Sequence, residues 1–145
     1  MEINVKRSMA NSQRQRLAHT IGALGAALAY MVLLHRVSSI PGKVESPGAV
    51  EFVYLTLTPT MQNLLHIPAF AVLAVLFSHA LPKTAGWAVA TLLITAGYGA
   101  YDEWFQLGVP GRYGSLTDWV LDLLGALFGV ALYRYLSART QKSCG

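Results

Sequence analysis

The sequence predicts an all-α membrane protein of four transmembrane helices, at about 17–35, 61–81, 86–106 and 116–136, with both termini in the cytoplasm. Three observations predict it. Apolar residues make up 54% of the 145 positions. Only 12% of residues are charged, against roughly 25% in soluble domains. And Leu17–Leu34, Met61–Leu81 and Trp87–Tyr101 contain no Asp, Glu, Lys or Arg, runs close to the length that crosses about 30 Å of hydrocarbon at about 1.5 Å per residue. A soluble bundle fits poorly, because the apolar residues are not confined to one stripe of each segment.

The elements follow in order. Residues 1–16 form a basic cytoplasmic tail with Lys6, Arg7, Arg14 and Arg16. The first apolar window lacks a small-residue cleavage site followed by a soluble domain, so it reads as a retained helix and not a signal peptide. Its Gly22, Gly25 and Ala29 share a face that permits close packing. Residues 36–60 form a long extracytoplasmic loop with Pro41-Gly42, Pro47-Gly48 and Pro59, in which Glu51–Leu57 suits a short interfacial helix or strand. Pro82 to Gly86 is a tight turn. The third helix is long enough only if it runs through Asp102 and Glu103 to Gln106. The fourth carries Asp118 and Asp122 near its start and is apolar from Leu123 to Tyr133. The whole reads as a single membrane domain.

Orientation follows from the basic residues. With the N-terminus inside, the cytoplasmic face collects Lys6, Arg7, Arg14, Arg16, Lys83, Arg134, Arg139 and Lys142, leaving Arg36, Lys43 and Arg112 outside, as the positive-inside bias requires. Trp87, Tyr133 and Tyr135 then mark the inner interface, and Tyr54, Trp104, Tyr113 and Trp119 the outer one. The net charge of +4 is spent on topology; no basic stripe interleaved with aromatics suggests a nucleic-acid partner. The single Cys144 offers neither a disulfide nor a metal pattern.

This topology gathers distant polar residues at one level. Helix two starts outside with Asn63 and His66 three residues apart on one face. Helix three ends there with Glu103 and Gln106, while Asp102, offset by about 100°, turns toward the headgroups. Helix four begins there, and Asp118, Asp122, Gly125 and Gly129 form one stripe. Pro68 cannot donate to Leu64 and leaves that carbonyl free beside His66. Ionisable groups near hydrocarbon are costly and mark function by default.

NLLHIPAF, followed by YDEWFQLGVPGRYGSLTDWVLDLLGALFG, resembles the VanZ family of small bacterial membrane proteins over about residues 60–132. The family's helix-two His with a following aromatic falls on His66 and Phe70. Its acidic-x-x-Gln element falls on Glu103 and Gln106. Its Pro-Gly-Arg turn with a following Ser falls on Pro110-Gly111-Arg112 and Ser115, and its Asp-led Gly-rich helix on Asp118, Asp122 and Gly125. Many members carry Asp-Lys just before the His, where this chain has Gln62-Asn63. The resemblance implies a cell-envelope role in the bacterial cytoplasmic membrane. It connects the chain to a name-giving member linked to resistance to lipoglycopeptides such as teicoplanin.

His66, Glu103, Gln106, Arg112, Ser115, Asp118 and Asp122 are therefore the expected ligand-binding residues, and each also has a structural reading. Arg112 can be an ion pair for Glu103 or Asp118 that fixes the turn, His66 a hydrogen-bonded core residue, Gln106 a helix-end hydrogen-bonder, and Asp118 a helix-dipole partner. Arg112 can equally hold an anion with its planar fork. Close carboxylates call for a neutralising Arg112, a divalent metal, or one acid kept protonated. No metal or other cofactor is expected, because no short-range ligand pair anchors one, and no reaction follows from the spacing. The leading expectation is an outer-leaflet site for an amphiphilic anion: a membrane lipid headgroup, a lipid-linked envelope precursor or a lipoglycopeptide. A homodimeric transporter or flippase using Glu103 as a coupling carboxylate is the alternative, and a structural or regulatory subunit without a ligand a third.

Overall fold

The computed structural model describes residues 2–42 and 45–143; the expected roles of Lys43 and Cys144 lie outside them. Among the described residues the chain is all-helical, in the order α1 (Glu2–Ser38), α2 (Ala49–Thr56), α3 (Pro59–Leu64), α4 (His66–Ala80), α5 (Trp87–Gln106) and α6 (Leu116–Ser143). Local chemistry sets the boundaries. Thr58 caps α3 by accepting from Met61 N, with Pro59 in the first turn. Leu65 joins α3 to α4 in right-handed helical conformation, so Pro59–Ala80 forms one apolar unit of 22 residues. Leu81, which precedes a proline, is extended and ends α4, because the proline ring disfavours the helical region for its predecessor.

Helix α1 is longer than the sequence suggests, since the basic tail continues it as helix from Glu2. The interfacial segment is the helix α2, and α6 runs on to Ser143. Helix α4 is central, packed on α6, α1 and α5. One core cluster joins Ala27 of α1, Phe70, Leu73 and Phe77 of α4 and Tyr98 of α5. A second joins Ala74, Ala88, Ala126 and Val130. Gly22 and Gly25 have no neighbour within 4 Å of a Cβ placed there. The face α1 uses is Ala27, Tyr30, Met31 and Leu34, so the expected glycine packing face is corrected.

The contact between α4 and α6 is set by two glycines. A Cβ on Gly125 would run into the Ile67 carbonyl, and one on Gly129 into the Ala71 carbonyl. Only glycine lets the two backbones come this close, in the small-xxx-small manner of membrane helix pairs.

Among the described residues three helical spans, not four, are long and apolar enough to cross a membrane: Met9–Ser38, Pro59–Ala80 and Leu116–Gln141. Helix α5 has the length, at 20 residues, but its inward stripe is polar. Thr91, Thr95, Asp102, Glu103 and Gln106 are buried along it, while Val89, Leu93, Ile94 and Trp104 are exposed. This inside-out pattern is the reason for the shortfall in hydropathy. Polar groups turned inward and large apolar groups turned outward suit hydrocarbon as solvent.

Candidate functional site

The polar residues of α5 and α6 meet at one end of the bundle because helical phase stacks them. Asp102, Glu103, Gln106, Asp118 and Asp122 are all buried there. Asp102 does not face outward as expected. Its Oδ2 accepts from Ser38 Oγ at 2.7 Å and from Gln106 Nε2 at 3.1 Å, fastening the end of α1 to α5. Tyr98, one turn earlier, donates its hydroxyl to the Met31 carbonyl at 2.7 Å. Both bonds need residues of α1 more than sixty positions away, which no local spacing announces. The polar stripe of α5 itself, running through Thr91, Thr95, Tyr98 and Asp102, could have revealed the inward direction.

Across the helix pair fixed by Gly125, His66 of α4 meets Asp122 of α6. His66 Nδ1 lies 2.7 Å from Asp122 Oδ1 and 3.8 Å from Glu103 Oε1. The other oxygen of Glu103 accepts the Ser115 backbone N–H at 2.7 Å. Ser115 also caps α6, its hydroxyl accepting from Asp118 N at 3.0 Å. That commits the hydroxyl to the helix start, and among the described residues it makes no hydrogen bond to His66. Gln106 bridges Asp102 and, at 3.4 Å, Glu103. The site is therefore an imidazole set among carboxylates, with Gln106 and Ser115 positioning Glu103. Asp118 Oδ1 and Asp122 Oδ2 are buried without a hydrogen-bond partner among the described residues.

Arg112 does not join this cluster. Among the described residues no ion pair links it to Glu103 or Asp118. Its guanidinium donates instead to the Tyr54 hydroxyl and, at 3.3 Å, to the Val37 carbonyl, and it stacks over the Tyr54 ring at 4.6 Å. The turn that carries it is held by Gly42 N, which donates to the Pro110 carbonyl at 2.9 Å. Gly111 takes φ +76°, and its backbone packs directly on Gly42; a side chain at either position would separate the loop after α1 from the turn. Sequence reasoning missed Tyr54 as the partner of Arg112, since α2 and the turn are joined only by the fold.

Arg112, His66, Asp118, Ser115 and Gln106 line one cavity of about 510 Å³, together with Tyr54, Gln62, Asn63 and Tyr113. An adjoining, largely apolar cleft of about 100 Å³, lined by Leu34, Leu65, Ala69 and Phe70 and also by Ser38 and Asp102, shares Tyr54, Gln62, His66, Gln106 and Arg112 with it. Glu103 and Asp122 lie behind His66 and act on the cavity through it. Six of the seven expected site residues thus converge on the imidazole and its acids, and Arg112 stands apart on the cavity wall.

The profile of the VanZ/LLP1 family matches residues 6–137. The chain belongs to the VanZ/LLP1 family. The match reaches well beyond the motif region into α1, in keeping with the bonds of Ser38 and Met31 to α5. No curated protein and no solved structure matches the chain. This VanZ-family member is a membrane protein by its three apolar spans, and its buried acidic residues gather at the end of the bundle bearing the His66 and Pro-Gly-Arg elements.

Proposed function

We propose that this cavity is an outer-leaflet site for an amphiphilic anion, a lipid or lipid-linked envelope precursor whose phosphate meets Arg112. The observation that carries the reading is Arg112 on the wall shared by a polar cavity and an apolar cleft, held by an aromatic ring and a carbonyl and, among the described residues, in no ion pair. A planar, permanently charged fork suits phosphate, and the cleft suits the start of an acyl chain. A lipoglycopeptide offers the same pairing of acyl chain and charge. Holding such a ligand at the leaflet surface is how the protein would contribute to teicoplanin-type resistance.

The proposed frame is the bacterial cytoplasmic membrane, with α5 in the bilayer beside the three apolar spans and both termini inside. Its support is the opposite end of the bundle, where Lys83 lies over the rings of Trp87 and Tyr133 and Arg134 lies near Trp87. Cations and aromatic rings gathered at one end are the expected marks of a cytoplasmic interface.

The test is native mass spectrometry of the protein purified in mild detergent and exchanged against phosphatidic acid, phosphatidylglycerol and an uncharged diacylglycerol. Retention of the phosphate lipids by wild type, and its loss in Arg112→Ala, is the expected result. Equal retention by both proteins removes Arg112 from the ligand site.

A further inference from the structure

We propose that His66, Glu103 and Asp118 form a binding site for a divalent transition-metal ion of the zinc or manganese class, with Asp122 orienting the imidazole. Each of the three offers one ligand atom, and these atoms lie within 4.8 Å of one another. Ligand atoms about 2.0–2.2 Å from a shared ion stand about 3–4 Å apart, so small side-chain rotations bring the set together.

Three further observations point to a cation. Asp118 is buried to 6% exposure and lines the cavity, and its Oδ1 has no hydrogen-bond partner among the described residues. Glu103 is half engaged: Oε2 holds the Ser115 N–H, while Oε1 has a 3.4 Å contact with Gln106 and lies 3.8 Å from His66 Nδ1, too far for a hydrogen bond. Asp122, 2.7 Å from Nδ1, makes the arrangement that metal-binding histidines use to fix their tautomer. An ionised carboxylate only accepts, so Nδ1 then carries the proton and the second ring nitrogen keeps its lone pair. One imidazole with two carboxylates favours a borderline transition ion over magnesium, which takes oxygen ligands and keeps its waters.

The site meets the cavity at His66 and Asp118, so its remaining coordination positions face the space that Arg112 also lines. A cation there offsets the charge of the acids along this wall. With one, a phosphate group can be shared between the metal and Arg112. Only that last step rests on the anion-binding reading above; metal binding stands without it.

The experiment is titration of the chelator-stripped full-length protein in detergent with Zn²⁺, Mn²⁺ and Mg²⁺, together with the visible absorption of Co²⁺ added as a spectroscopic probe. Wild type should bind one Zn²⁺ or Mn²⁺ per chain in preference to Mg²⁺, with Co²⁺ bands that indicate nitrogen and oxygen ligation. Asp118→Asn and Glu103→Gln should bind at least tenfold more weakly, and Asp122→Asn about 10–100-fold more weakly. Arg112→Ala should keep the metal whatever happens to its anion binding, so the two readings fail separately. Absence of stoichiometric Zn²⁺ or Mn²⁺ binding by wild type overturns the proposal, and this needs no variant to fold. Undiminished binding by Asp118→Asn and Glu103→Gln also overturns it.

Discussion

Asp122 holds His66 from the facing helix, with 2.7 Å between Oδ1 and Nδ1, and the carboxylate is fully buried. A bond this enclosed makes each partner costly to remove alone. Asp122→Asn or His66→Phe should each destabilise the protein by about 1–3 kcal/mol, the usual penalty for leaving a buried polar group unmatched. The double variant should lose less than the sum. A double-mutant cycle on thermal unfolding in detergent measures the coupling, and strict additivity means that the two residues do not interact.

The glycine contacts make a sharper contrast. Gly125→Leu and Gly129→Leu place atoms against the carbonyls of Ile67 and Ala71, and forcing a close-packed interface apart costs about 1–3 kcal/mol or more. Gly22→Leu and Gly25→Leu enter open space and should leave the unfolding temperature of the monomer almost unchanged. Equal losses in the two pairs contradict the helix packing described above.

Asp102 ties α1 to the site through Ser38. Ser38→Ala removes one donor and leaves Gln106 in place, with an expected loss of about 1–3 kcal/mol. Protection from hydrogen exchange should fall at the end of α1 near Ser38 before it falls in α4. Unchanged protection there means that the bond does not anchor the helix.

The proposed orientation is open to labelling. In a Cys144→Ser background, Tyr113→Cys should react on intact cells with a membrane-impermeant maleimide, because Tyr113 is 85% exposed beside the cavity. Arg139→Cys should react only after lysis. The reverse pattern inverts the protein in the membrane.

Much of this architecture is legible in the sequence, because membrane helices carry their phase and length in composition. Asp122, Gly125 and Gly129 fall on one stripe by spacing alone, and the structure uses that stripe against α4. The level of His66, Glu103 and Asp118 follows from alternating helix direction. What spacing cannot supply is the partner chosen across the bundle. Arg112 had two nearby acids in sequence and instead found Tyr54, 58 positions away. The offset of Asp102 from Glu103 points it to the outer side, yet a helix with neighbours on more than one face buries more than one stripe. Helix α5 shows the same effect in its composition: the residues that make it fall short as an apolar span are those it turns inward.

Arg112 is proposed to receive a phosphate at the mouth of this cavity. The most direct measurement is calorimetric titration of the detergent-solubilised protein with a short-chain phosphatidate, beside an uncharged diacylglycerol of the same chain length. Saturable one-site binding of the phosphatidate only is expected, weakened at least tenfold by Arg112→Ala and partly restored by Arg112→Lys. Equal affinity for the two lipids, or an Arg112→Ala titration that overlays wild type, contradicts it.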